Sequence, residues 1–152
     1  MNKPIKPPLS DLLGLTNKEL AFLMARVGVG TNLFFHGLVR IPKLTGFVQG
    51  MESQFAETLL PGFMVTPMAY AIPFVELILG IMLLLGVKTR AALVGAAVQM
   101  LVLIAGCCFL ESWGPINSQM FLLALSALLV ANLHLNRFAI TSDTMAAKMA
   151  TS

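Results

Sequence analysis

Apolar residues in this chain come in long blocks rather than in the alternation expected of half-buried strands. Four blocks stand out, at residues 20–39, 67–86, 91–110 and 117–135. Each approaches the roughly 20 residues a helix needs to cross a hydrocarbon core. The pattern predicts an all-α membrane protein, a bundle of four transmembrane helices. Only Val87, Lys88, Thr89 and Arg90 separate the second block from the third, which forces an antiparallel hairpin. A second short turn follows Leu110 and carries Trp113, where an interfacial aromatic residue belongs.

Residues 44–66 read differently. Phe47, Met51, Phe55 and Leu59 recur every fourth residue with Gln, Ser and Glu between them, and Pro61-Gly62 ends the run. That is helical amphipathicity, too polar to cross a bilayer. Two expectations stay open: a short amphipathic helix lying at the outer interface between the first and second spans, or an ordered extracellular loop. The membrane domain then covers 20–135. It is preceded by a Pro-rich polar segment, 1–19, and followed by a tail, 136–152. The first apolar run has no small-residue cleavage site after it, so the first helix is expected both to target the chain and to stay.

Composition agrees. Of 152 residues, 57% are hydrophobic and 11% charged, with a mean hydropathy of +0.84. A soluble domain this short has too little interior for that much apolar surface. The net charge is +3, but the basic residues gather at segment ends, which gives nucleic-acid binding no support. They report direction instead. Lys3, Lys6, Lys18, Lys88, Arg90, Arg137 and Lys148 fall on one side, against Arg40 and Lys43 with Glu52, Glu57 and Glu111 on the other. The positive-inside rule puts both termini in the cytoplasm.

Several polar groups lie inside the blocks. An ionisable side chain near the bilayer centre costs about 2.5–3.5 kcal/mol on insertion scales, so each asks for a partner or a task. Counted from the inner boundary at 1.5 Å per residue, Arg26 lies about 10 Å deep and Glu76 about 15 Å. The expected pair is Arg26 with Glu76. Gln99 and Ser126 fall at about 12–14 Å, completing a polar layer that is either hydrogen-bonded glue between helices or a functional site. His36 shares a stripe with Asn32 near the outer surface. It serves either as a quinone or proton contact or as an ordinary interfacial histidine, and Arg40 is expected to snorkel outward.

His36 and His134 fall at opposite ends of the bundle, which rejects a bis-histidine haem within the chain. No metal site is expected from the adjacent pair Cys107-Cys108, both expected as buried thiols. Pro73 would loosen the second helix beside Glu76. Gly80, one turn on, leaves room for a neighbouring helix or a ligand.

Two stretches carry a resemblance, ARVGVGTNLFFHGLVRIPK at 25–43 and PFVELILGIMLLLGVKTRAAL at 73–93. They resemble the DoxX family of small four-helix membrane proteins. Arg26, His36 and Glu76 match its polar positions, and Gly80, Gly86, Thr89 and Arg90 its framing ones. The family includes the membrane subunit of a thiosulfate:quinone oxidoreductase and membrane partners of redox proteins, although no thiosulfate site is recognisable here. The resemblance implies an integral subunit of an oxidoreductase complex in the bacterial inner membrane, interacting with the quinone pool. In that role Glu76, Arg26 and His36 form the quinone or proton site, supported by Asn32, Gln99 and Ser126. No intrinsic cofactor is expected. A quinone is the expected exchangeable ligand, and the partners are lipid and other membrane or redox subunits. The alternative is an anchoring subunit with no catalytic role.

Overall fold

A computed structural model describes residues 14–140. Five helices form there: α1 (Asn17–Arg40), α2 (Leu44–Phe55), α3 (Gly62–Leu85), α4 (Thr89–Phe109) and α5 (Ile116–Ala131). No strand occurs among the described residues. The stretch containing α1, together with α3 and α4, is long and apolar enough to cross a membrane, and α5 is a shorter apolar helix.

Local chemistry sets the ends. Helix α1 starts three residues before the predicted span because Thr16 and Glu19 form a capping box. The Thr16 side chain accepts from the Glu19 amide at 3.3 Å, and the Thr16 amide donates to Glu19 Oε2 at 2.8 Å. Two donors that a helix start leaves orphaned are thereby met. Helix α2 stops at Phe55, so Leu59 belongs to no helix and is exposed. Pro61, extended at the N-cap of α3, opens that helix at Gly62, earlier than the expected 67. Gly86 closes it in the left-handed region at φ 68°, with the Val87 amide on the Met82 carbonyl at 2.9 Å. Only glycine takes that conformation without penalty. Helix α5 ends at Ala131, short of the expected 135, because Asn132 leaves helical geometry and turns its amide onto the Leu128 carbonyl at 2.9 Å. A 3₁₀ turn, Leu133–Leu135, follows.

Helices α1 and α3 run antiparallel in close contact, and glycine makes that possible. A Cβ at Gly80 would lie 2.4 Å from the Phe34 amide nitrogen; one at Gly37 would lie 2.5 Å from the Pro73 carbonyl oxygen. Gly30 faces Leu83 and Leu84 in the same way. Helices α4 and α5 form a second pair, which meets the first more sparsely. Val29, Leu33, Leu83, Leu93, Met100 and Leu129 fill the core between the pairs. Helix α2 packs on α3, and the Phe55 ring lies 3.5 Å from where a Cβ of Gly106 on α4 would sit. It therefore spans from one pair to the other at a single end of the bundle.

At the opposite end, residues after the 3₁₀ turn fold back onto the bundle. Asn136 is buried, and the Phe138 carbonyl and Ala139 lie within 3 Å of the position a Gly86 Cβ would take. The expected tail from 136 is thus packed onto the bundle through Asn136 and Ala139, with Ile140 exposed; 141–152 lie outside the described residues, as do residues 1–13 of the expected segment 1–19. Arg137 adds a contact to Glu19 at 3.6 Å.

Two outcomes follow from these contacts. Gly80→Ala should force α1 and α3 apart and cost about 1–3 kcal/mol, read as a lowered melting temperature in detergent, whereas Gly46→Ala, in open space, should not. The Thr16 amide, and to a smaller extent Arg137, holds the Glu19 carboxyl below its ordinary value of 4.5. The cap is therefore fully formed above pH 4.5 and is lost as pH falls through the lowered value. Hydrogen exchange in the first turn of α1 should show this acid fraying, with Glu19→Ala already frayed at neutral pH.

Candidate functional site

The α1–α3 register decides which charges meet. Phe34 lies against Gly80, Gly37 against Pro73 and Leu77, and Gly30 against Leu83 and Leu84. Glu76 is therefore level with Gly37, while Arg26 is level with the end of α3, where its Nη1 lies 2.7 Å from a Gly86 Cβ position. Eleven residues of helix, about 16 Å, separate those levels.

Side-chain direction widens the gap. Every Cα–Cβ bond in a helix tilts toward its N-terminus. Arg26 therefore leans away from the α2 end and Glu76 leans toward it. Arg40, one turn past Gly37 on the same face, leans back onto Glu76. The two meet at 2.5 Å, Arg40 Nη1 donating to Glu76 Oε2. The expected Arg26–Glu76 pair is replaced by Arg40–Glu76, and Arg40 folds inward instead of snorkelling out. Glu76 is 2% exposed and Arg40 29%, so the carboxylate is sealed behind a guanidinium that still reaches open space. The Phe47 ring on α2 covers that guanidinium at 5.2 Å, a cation–π contact.

The space Arg40 reaches is a cleft of about 500 Å³ at the α2 end, between the two helix pairs. Helix α2 contributes Phe47, Met51 and Phe55, and α3 Met64, Met68 and Ile72. From the other pair come Leu103, Gly106, Cys107 and Phe109 on α4, with Gln119 on α5. The walls are predominantly apolar, and the three methionines can repack around an irregular occupant. Three of the four positions that gave residues 44–66 their helical period bear on this site: Phe47, Met51 and Phe55 face the cleft. A cleft of this size, apolar with few polar groups, is the ordinary form of a small-molecule site. Glu76 itself does not line it; Arg40 stands between.

Arg26 has a different setting. It is 3% exposed, and Nη1 donates to Asn136 Oδ1 at 2.6 Å and to the Phe138 carbonyl at 2.5 Å. Asn136 in turn donates to Thr89 Oγ1 at 2.9 Å. Arg26 thus ties α1 to the start of α4 and to the returning C-terminal segment, using neutral oxygens. Thr89 and Gly86, framing positions in the sequence, are parts of this latch. The polar layer expected at mid-depth is therefore split. Gln99 and Ser126 are buried, yet Gln99 Nε2 and Ser126 Oγ have no hydrogen-bond partner among the described residues. Asn32 and His36 are exposed on α1 and do not line the cleft. Cys107 is half-buried, and Cys108 is exposed rather than buried.

Sequence reasoning missed Asn136 and Gln119 as parts of any site. Asn136 lies beyond the last apolar block, and Gln119 sits where a helix start is expected to be polar. Arg40 was visible as a charge one turn past His36, and its position on the Gly37 face was the signal that it points at α3.

With this geometry in hand, the class is that of a small helical membrane protein with a largely buried ion pair beside an apolar cleft. The DoxX family model matches residues 21–111, and the chain belongs to that family. It is a multi-pass membrane protein of the family. No match is found among curated proteins or among solved structures.

The latch makes its own prediction. Asn136→Ala leaves the buried Arg26 short of an acceptor, at about 1–3 kcal/mol. Limited proteolysis should then cut at residues 136–140 in the variant and spare the wild type.

Proposed function

We propose that this chain is the membrane subunit of an oxidoreductase complex that exchanges with the quinone pool. The observation carrying that reading is the apolar cleft of about 500 Å³ that Arg40 enters with Glu76 behind it. A quinone needs apolar walls for its ring and isoprenoid tail and a donor for a ring oxygen. The cleft residues fit both needs, and its volume lies within the roughly 300–1,000 Å³ typical of ligand sites.

In this reading all four apolar helices cross the bilayer. Helix α5 is the shortest at 16 residues, about 24 Å, and the 3₁₀ turn extends it. Lys18, Lys88, Arg90 and Arg137 cluster at the end away from α2, whereas Arg40 and Lys43 share the α2 end with Glu52, Glu57 and Glu111. That asymmetry supports a bacterial inner membrane orientation with the latch end and both termini cytoplasmic.

When bound, a quinone supplies two-electron, two-proton carrier chemistry, with electrons arriving from the cofactor of a partner subunit. Arg40 donates to a ring oxygen and holds the head of the molecule at the cleft wall. Glu76 positions that guanidinium. It is the one carboxylate among the buried described residues, and it is the group that takes and returns a proton beside the site. Helix α2 shields the cleft from the outer headgroups. His36, exposed one turn before Arg40, is not needed for this arrangement.

The anchoring alternative draws on the Arg26 latch, which is purely architectural. The two readings diverge at Glu76. In the assembled complex, Glu76→Gln should lower quinone-linked turnover by about 10²-fold, the lower end of what a positioned acid–base group contributes. Assembly, read by co-purification of the partner subunits, should be unchanged. Wild-type turnover in an intact complex would favour the anchor.

A further inference from the structure

The geometry points to Gln119 as a second headgroup contact in the cleft, one that takes the quinone or quinol oxygen lying away from Arg40. This rests on the quinone reading above and assigns a residue to it.

Gln119 projects from the first turn of α5 into the cleft wall. Its Nε2 donates to Cys107 Sγ at 3.4 Å. Its Oε1 is enclosed and finds no donor among the described residues. A thiol sulfur is a weak acceptor, so the satisfied half of this carboxamide is only weakly held. Exchanging the two ends of the amide does not help. With Oε1 on the thiol, Nε2 would be the atom left unmet. Either way a buried polar atom beside an apolar cleft lacks a partner, a costly arrangement that a ligand oxygen would relieve.

The position is complementary to that of Arg40. Arg40 belongs to the α1–α3 pair and Gln119 to the α4–α5 pair, and the cleft lies between them. A ring with oxygens on opposite edges has one for each wall. Their chemistry differs as well. A guanidinium only donates, so Arg40 needs a lone pair. A carboxamide offers an acceptor at one end and a donor at the other, and its terminal torsion is broad and nearly two-fold. A turn of that torsion lets Gln119 donate to a quinone carbonyl or accept from a quinol hydroxyl. The cleft therefore holds both redox states with similar affinity, as a site must if it loads one form and releases the other.

The chain carries its own reporter. Trp113, its single tryptophan, lies between the cleft residues Ser112 and Pro115. Quenching of Trp113 fluorescence can be followed for the full chain in lipid nanodiscs with decyl-ubiquinone and its quinol. A decyl-substituted benzene lacking ring oxygens, competing for the same cleft, is the control. In the wild type the two redox forms should bind within about threefold of each other. Gln119→Met, of equal length and without hydrogen bonds, should weaken both by about 3- to 10-fold, the loss of one hydrogen bond, and leave the control unchanged. Gln119→Leu carries the same test should Gln119→Met not fold.

Unchanged binding of both forms in the variant would overturn the role of Gln119 and leave the quinone reading standing. An equal loss for the control would also overturn it, as the mark of a merely structural effect. Wild-type protein that binds neither form, or binds the control equally well, would overturn the quinone reading and this inference together.

Discussion

The close approach of α1 and α3 is the constraint on which the rest of this structure depends. Gly37 and Gly80 place each helix against the other's backbone at distances that no side chain tolerates. Such contact gives van der Waals packing that larger residues deny to helices in an apolar medium. It also fixes the axial register of the pair. Once Gly80 is against Phe34 and Gly37 against Pro73, Arg40 and Glu76 converge from opposite directions, because each side chain tilts toward its own helix's N-terminus and antiparallel helices point those ends opposite ways. The ion pair follows from the glycines.

The bundle handles its two deepest charges in opposite ways. Glu76 is matched by a full positive charge, and that partner stays half-open toward a cleft. Arg26 is matched by an amide oxygen and a main-chain carbonyl, inside a sealed joint with Asn136 and Thr89. Burying an ion with neutral partners is tolerable when its hydrogen bonds are well placed. Here it makes the returning C-terminal segment a structural member of the bundle. One charge stands behind a partner that faces the cleft, and the other closes the far end.

The cleft arises where the two helix pairs part. At the latch end the core is filled by Leu83, Leu93 and Leu129 and closed by residues 136–140. At the other end the gap is roofed by α2, whose apolar stripe faces downward and whose Phe55 touches the opposite pair. An amphipathic helix placed across two loosely joined pairs produces a half-open apolar cleft with few polar groups.

Much of this was written in the sequence. Block length and hydropathy determined that the chain is helical and membrane-embedded, and the four-residue period of Phe47, Met51 and Phe55 marked a helix with one apolar face. Arg26 and Glu76 stood out as charges inside long apolar blocks, and both are buried. What only the tertiary structure decided was which charge answers which. Depth counted along each helix assumes that the inner ends are level. In the folded chain α1 runs on past the end of α3, so Arg26 meets Gly86 and the C-terminal segment, and Arg40 takes its place at Glu76. Hydropathy is a property of each block alone, whereas register is a relation between two helices. Here Gly37 and Gly80 set it through contacts about 40 residues apart in the chain, within the reach of a tight helix pair.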